Sequence, residues 1–359
     1  MSRRRLVYLS VLAVLATVMS LTSMPVAGQA SSAGPRAAPG SAKPSADRPW
    51  TPPRTPWGEP DLQGLWDYRT ITPMERPAKF AQKESLTEAE AVELEKLDAE
   101  ENVDRPPRAG DPGTYNQFWM DRGTKVIGTR RTSLITDQPD GRIPALTAEA
   151  KKRQAAIAEA QRGVGPDEPP VGGWADDLSV TVQCILGFNS GPPMHPAAYN
   201  NNVEIVQSPG YVTIHNEMNH SVRVVPTDGR PHLPSHIRLW VGDPRGRWEG
   251  NTLVVDTTNF LRETSFGRYA GAFGRLRGSG PDIHLIERFT RVDADALMYE
   301  ARVEDATTWV KPWTYAIPMR KSSELIYEYA CHEGNYSVES ILVAARQREK
   351  ASQDASKKK

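Results

Sequence analysis

All seven histidines of this chain lie between His195 and His332, and none occurs in the 194 residues before them. Imidazole is the side chain that gains and loses a proton near neutral pH, so it serves acid–base catalysis and metal ligation. The densest run is His215-Asn216-Glu217-Met218-Asn219-His220. On a strand, His215 and Glu217 share a face one pleat apart, and His220 could return after a turn. This is not H-E-x-x-H, which depends on a helix stacking positions i and i+4. The run is therefore read as an acid–base group with no metal assigned.

Two further groups carry the same residue types. Asp228-Gly229-Arg230-Pro231-His232-Leu233-Pro234-Ser235-His236 is a Pro- and Gly-rich loop. A stiff loop limits the entropy lost in presenting His232 or His236 to a ligand, although it reads equally well as a structural connection. Near the C-terminus stands Cys331-His332-Glu333-Gly334-Asn335-Tyr336. His332 as a base, with Tyr199 or Tyr336 donating a proton, would suit an elimination, isomerisation or hydration. The catalytic candidates are thus His215, Glu217, His232, His236 and His332. Tyr199, Asn200, Arg238, Arg247 and Tyr336 are candidates for holding a substrate. Arg247 has the fork geometry to grip a carboxylate, though paired surface charges around Asp243, Arg245 and Glu249 account for it too. No G-x-S-x-G, P-loop or dinucleotide fingerprint occurs, so serine-hydrolase, nucleotide and nicotinamide chemistry lose their usual support and no cofactor is expected.

The elements that must position these residues are mostly strands. From about Val180 onward, short alternating segments recur between Pro, Gly, Asn and Asp. They are residues 203–207, 211–218, 222–225, 237–241, 247–248, 252–256, 283–292, 297–304, 313–319 and 324–330, with residues 62–66 ahead of them. This spacing predicts an antiparallel barrel or sandwich. Two helices lie between residues 62–66 and the other strands. One opens at Thr87, with Glu90 completing a capping box, and runs to about Glu101; the other runs from Thr147 to about Gln161. A third, over residues 338–350, closes the fold before a charged tail at 351–359. The fold expected is mainly β, a calycin-like antiparallel β-barrel or barrel-like sheet with two N-terminal helices and a C-terminal helix.

The N-terminus carries a different signal. Arg3, Arg4 and Arg5 precede an apolar run over residues 6–21, Pro25 breaks it, and Gly28-Gln29-Ala30 supplies small residues. That order describes a secretory signal peptide over residues 1–30. Residues 31–60, rich in Pro, Ala, Ser and Gly, read as a disordered leader, and residues 61–350 as a single β-rich domain. Without the first thirty residues, 41 basic side chains face 44 acidic ones. Nothing in that balance suggests nucleic acid. No later stretch is apolar enough to span a bilayer, so no stable membrane insertion is expected after cleavage. Export to the periplasm or beyond makes Cys184 and Cys331, the chain's only cysteines, read first as a disulfide.

Several runs together resemble an uncharacterised family of exported bacterial proteins. They are Pro60-Asp61-Leu62-Gln63-Gly64-Leu65-Trp66, Arg131-Thr132-Ser133-Leu134, Pro139-Asp140-Gly141-Arg142-Ile143-Pro144 and Asp228-Gly229-Arg230-Pro231-His232. Gly246-Arg247-Trp248-Glu249-Gly250 with Thr252-Leu253-Val254-Val255, and Tyr329-Ala330-Cys331-His332-Glu333-Gly334-Asn335-Tyr336, complete the set. The resemblance implies export and a β-rich body, and carries no activity with it. Gly64-Leu65-Trp66 is also similar to the G-x-W opening of lipocalins, which implies a closed barrel. The functional expectation is acid–base chemistry of lyase, isomerase or hydrolase type on a small organic molecule. The alternative is a periplasmic protein that binds a small ligand without turning it over.

Overall fold

The computed structural model describes residues 50–357, apart from residues 105, 107–116, 161–168, 190 and 262–281. The expected signal segment and the leader up to Pro49 lie outside the described residues. Residues 50–60 belong to the folded body: Arg54 bridges Pro60, and the Arg291 guanidinium lies over the Trp50 ring.

Among the described residues, nine strands form one antiparallel sheet: β1 (Gly64–Asp67), β2 (Asn202–Ser208), β3 (Tyr211–Asn216), β4 (Val222–Pro226), β5 (Asp243–Glu249), β6 (Thr252–Thr258), β7 (His284–Asp293), β8 (Ala296–Glu304) and β9 (Trp313–Lys321). Their order is β4-β3-β2-β1-β9-β8-β7-β6-β5. Period-two alternation is the cause. In β7, Leu285, Glu287 and Phe289 are buried, whereas His284, Ile286, Arg288 and Thr290 face outward. In β8 and β9 the inward residues are Leu297, Tyr299, Ala301 and Val303, then Trp313, Tyr315, Ile317 and Met319. Two-residue turns at Pro209-Gly210 and Gly250-Asn251 join β2 to β3 and β5 to β6, each glycine taking a positive φ. Such turns set strand register without slack.

The sheet curls until its two edges almost meet. A methyl group on Gly246 of β5 would stand 2.9 Å from Val225 Cγ1 of β4 and 2.8 Å from Thr227 Cγ2. Glycine at that seam is what permits the approach. The result is a nearly closed barrel, one of the two antiparallel forms that the spacing of the strands predicts. Its interior is filled by side chains, among them the wholly buried Trp66, Phe289 and Tyr299 and the ion pair Arg223–Glu287. One end is plugged by the segment around Met194, whose N–H donates to Tyr299 Oη at 3.0 Å and whose carbonyl accepts from Tyr315 Oη at 2.5 Å.

Two α-helices fall between β1 and β2 and one follows β9 among the described residues: α1 (Glu88–Glu101), α2 (Ala148–Ala160) and α3 (Ser337–Lys357). The α1 cap is the expected reciprocal box, with Glu90 N–H donating to Thr87 Oγ1 at 3.3 Å and Thr87 N–H to Glu90 Oε2 at 2.8 Å. Thr87→Ala should lower stability by about 1 kcal/mol, measurable by urea unfolding. Helix α3 continues to Lys357, through most of the expected tail, because Ala351-Ser352-Gln353-Asp354-Ala355 contains no breaker.

Two expected strands are absent. Residues 237–241 make a single parallel bridge, Leu239 to Phe260, hemmed by Pro234 and by Gly242 at φ 70°. Residues 324–330 follow β9, whose two edges are already taken by β1 and β8. With no edge of β9 left to pair, the segment runs on irregularly and leaves Leu325 and Tyr327 exposed.

Candidate functional site

Strands β2, β4, β5, β7 and β9 begin at the end of the barrel where β1, β3, β6 and β8 finish. Two imidazole groups lie on the outer face near this end.

The first stands on β3. The Pro209-Gly210 turn pairs His215 with Glu204 of β2, and β4 places Val222 on its other side. His215 Nδ1 is 3.3 Å from Glu204 Oε2. A carboxylate only accepts, so in the neutral ring Nδ1 carries the proton and Nε2 the lone pair. Beyond β3 the chain turns through Asn219 (φ 55°) and His220 (φ 48°), both left-handed. That costly conformation stacks the His220 ring against His215, with centroids 6.4 Å apart and planes 20° apart. His220 Nε2 accepts from the Tyr329 N–H at 2.9 Å, so the neutral ring carries its proton on Nδ1. The Tyr329 ring in turn lies parallel to Tyr199 at 6.4 Å, and Phe188 meets Tyr199 edge-on at 5.2 Å. A disulfide between Cys184 and Cys331 anchors this segment two residues beyond Tyr329.

The second group is a row across β5–β8. His232, in the β4–β5 connection, has Nδ1 3.1 Å from Asp243 Oδ2 and Nε2 3.2 Å from Asp256 Oδ1. The same Asp256 oxygen is 3.0 Å from His284 Nε2, and His284 Nδ1 is 3.2 Å from Glu304 Oε2. The hydrogen bond from His284 holds the Asp256 carboxyl below its ordinary value. Reciprocally, the hydrogen bond to Asp256 lifts the His284 imidazole above its own. Glu304 is lowered chiefly by its hydrogen bond from Arg302.

The remaining candidates fall apart. Glu217 leaves the strand in a helical turn and is buried, accepting from Asn202 Nδ2 at 2.9 Å, so Glu204 takes the place expected of it beside His215. Asn200 (φ 54°) contributes its carbonyl to the Asn189 side chain at 3.1 Å. His236 and His332 are exposed, and Tyr336 lies exposed beside the start of α3. Arg247 is paired with Glu249 on the outside of β5. Arg238 donates to the Phe260 carbonyl at 3.1 Å and to Asp282 at 2.9 Å. His195, buried, has carbonyl oxygens of Phe188 and Pro196 at 2.7 and 3.0 Å, and burial pushes it down to about 3, so it is a structural ring. Among the described residues, no group of three His, Cys, Asp or Glu could hold a metal ion. Beside β1, β9 and α1 lies a cavity of about 520 Å³ lined by Arg69, Met120, Asp121, Arg122 and Arg320 among others, and by none of the expected site residues.

Fold and site together define a nearly closed antiparallel β-barrel with carboxylate-oriented imidazoles on its outer face. No protein-family model, no curated protein and no solved structure matches the chain. Among the described residues, no helix is long and apolar enough to cross a membrane.

Proposed function

We propose that this chain is an exported β-barrel enzyme performing cofactor-independent acid–base chemistry, of lyase, isomerase or hydrolase type, on a small organic molecule. The observation that carries the reading is the Glu204–His215 pair, which orients an imidazole and leaves its Nε2 lone pair open. Nε2 would take a proton from the substrate, and Glu204 would stabilise the imidazolium that forms. The His215 imidazolium would then return that proton from Nε2 to the product, with the His220 ring stacked against it. Tyr199 reaches the group through the Tyr329 stack and is the second candidate donor. Export is supported by the N-terminal order of Arg3-Arg4-Arg5, apolar run and small residues, and by the bridged cysteines.

The second reading, ligand binding without turnover, is favoured by the 520 Å³ cavity, a size suited to a small molecule. Its Arg320 has no partner among the described residues, whereas Arg69 and Arg122 are paired with Asp67, Asp121 and Asp98.

Incubating the mature protein with a metabolite extract separates the two. Catalysis should consume at least one component, His215→Ala should slow that by about 10²-fold or more, and His332→Ala should leave it unchanged. An extract left intact by the wild-type protein would sink the catalytic reading. Retention of a component that is lost on Arg320→Ala would then support binding.

A further inference from the structure

The row Asp243–His232–Asp256–His284–Glu304 poses a proton count. Four imidazole nitrogens each lie within 3.2 Å of a carboxylate oxygen. Carboxylates donate nothing, so four N–H groups are needed, and two neutral imidazoles supply only two. With neutral rings, two of the four contacts would set a nitrogen lone pair against a carboxylate oxygen, which is repulsive.

The row also joins separate parts of the chain. His232 and Leu233 belong to the connection over residues 227–242, and the Leu233 N–H donates to Asp243 Oδ2 at 2.8 Å. Asp243 opens β5, Asp256 lies on β6, His284 opens β7 and Glu304 ends β8. The neighbouring charges are paired off. Arg245 of β5 binds Asp243, Arg302 of β8 binds Glu304, Arg230 of the connection binds Asp228, and Arg238 reaches Asp282 just before β7.

We propose that this row is an acid-fastened clasp, holding the β4–β5 connection onto strands β5–β8 while its two imidazoles carry all four protons. When protons are lost, the clasp loosens and frees the connection, whose Leu233, His236, Ile237 and Trp240 already stand at the surface. The direction follows from His284. Its folded-state value is raised above 6.5, mainly by the hydrogen bond to Asp256. The fastening is therefore complete below the unfolded value and disappears as pH rises through the folded one. This device is independent of the reading given to His215.

Ring-carbon NMR of the full mature chain tests it, with backbone hydrogen exchange as the second readout. His284 should titrate above 6.5, and Asp256→Asn should lower that midpoint. Exchange at Leu233 and the rest of residues 231–242, corrected for intrinsic rates, should quicken as pH rises through the midpoint. Opening should gain about tenfold per pH unit by which the midpoint exceeds 6.5. Amides of β8 and β9, followed in parallel, should stay protected and so report that both proteins remain folded. A wild-type midpoint at or below 6.5, or corrected exchange in the connection that ignores pH, would overturn the clasp.

Discussion

Replacing Glu287 by alanine is expected to destabilise the barrel by about 3–5 kcal/mol, because it strands a buried guanidinium. Arg223 comes from β4 and Glu287 from β7, and both side chains are fully buried. Arg223 Nη2 donates to Glu287 Oε1 at 2.9 Å, and Tyr299 Oη donates to the same oxygen at 2.8 Å. Burial works against the Arg223 charge, yet the Glu287 carboxylate outweighs it and leaves the guanidinium value raised. Burial likewise lifts Tyr299 well above its ordinary value, so it remains a donor. Removing both charges is a different matter. Arg223→Met with Glu287→Leu should be near neutral or more stable, since the cost of burying two ions goes with them. Urea unfolding of wild type, single and double variants checks this. A Glu287→Ala protein within 1 kcal/mol of wild type would show that water reaches the pair.

Removing the disulfide should have an effect of similar size. It joins Cys184 to Cys331 across 147 residues of sequence, and a loop that long restrains the unfolded chain by up to roughly 5 kcal/mol. Cys184→Ser with Cys331→Ser should lower the denaturant midpoint accordingly, in buffer without reductant. The change should also reach the imidazoles. The bridge and the Asn335 side chain, which donates to the Val182 carbonyl at 3.0 Å, restrain the segment that carries Tyr329. The His220 resonance should therefore shift in the variant more than that of His284, which lies in the other group. Equal stability with and without the bridge would show that the two cysteines are held together by the fold alone.

Part of the first imidazole group was within reach of the sequence. A two-residue hairpin turn at Pro209-Gly210 pairs Ser208 with Tyr211 and, counting back, Glu204 with His215. The expectation joined His215 to Glu217 instead, because it followed one strand and not its neighbour. Cross-strand partners are the nearer ones in a sheet. The left-handed pair Asn219 and His220 is one turn of irregular backbone, and no pattern of residue types foretells that it brings the ring back over His215. The second group was beyond such counting. The Gly250-Asn251 turn sets Arg245 opposite Asp256, but Asp256 meets β7 only across the long connection after β6, which fixes no register. His284 and Glu304 therefore carried no signal that they belonged with His232.

From residue order alone come the alternating strands, the turns that end them, the capped helix at Thr87 and the cysteine pair. These are local matters, or matters of count, because side-chain period and turn geometry act over a few residues. Barrel closure at Gly246, the plug at Met194 and the meeting of Arg223 with Glu287 were decided only in three dimensions. The first and last depend on strands from opposite halves of the sheet order arriving within a few ångströms of one another, and the plug on a loop folding back onto β8 and β9. Curvature of the whole sheet sets that distance, and no segment of the chain carries it by itself.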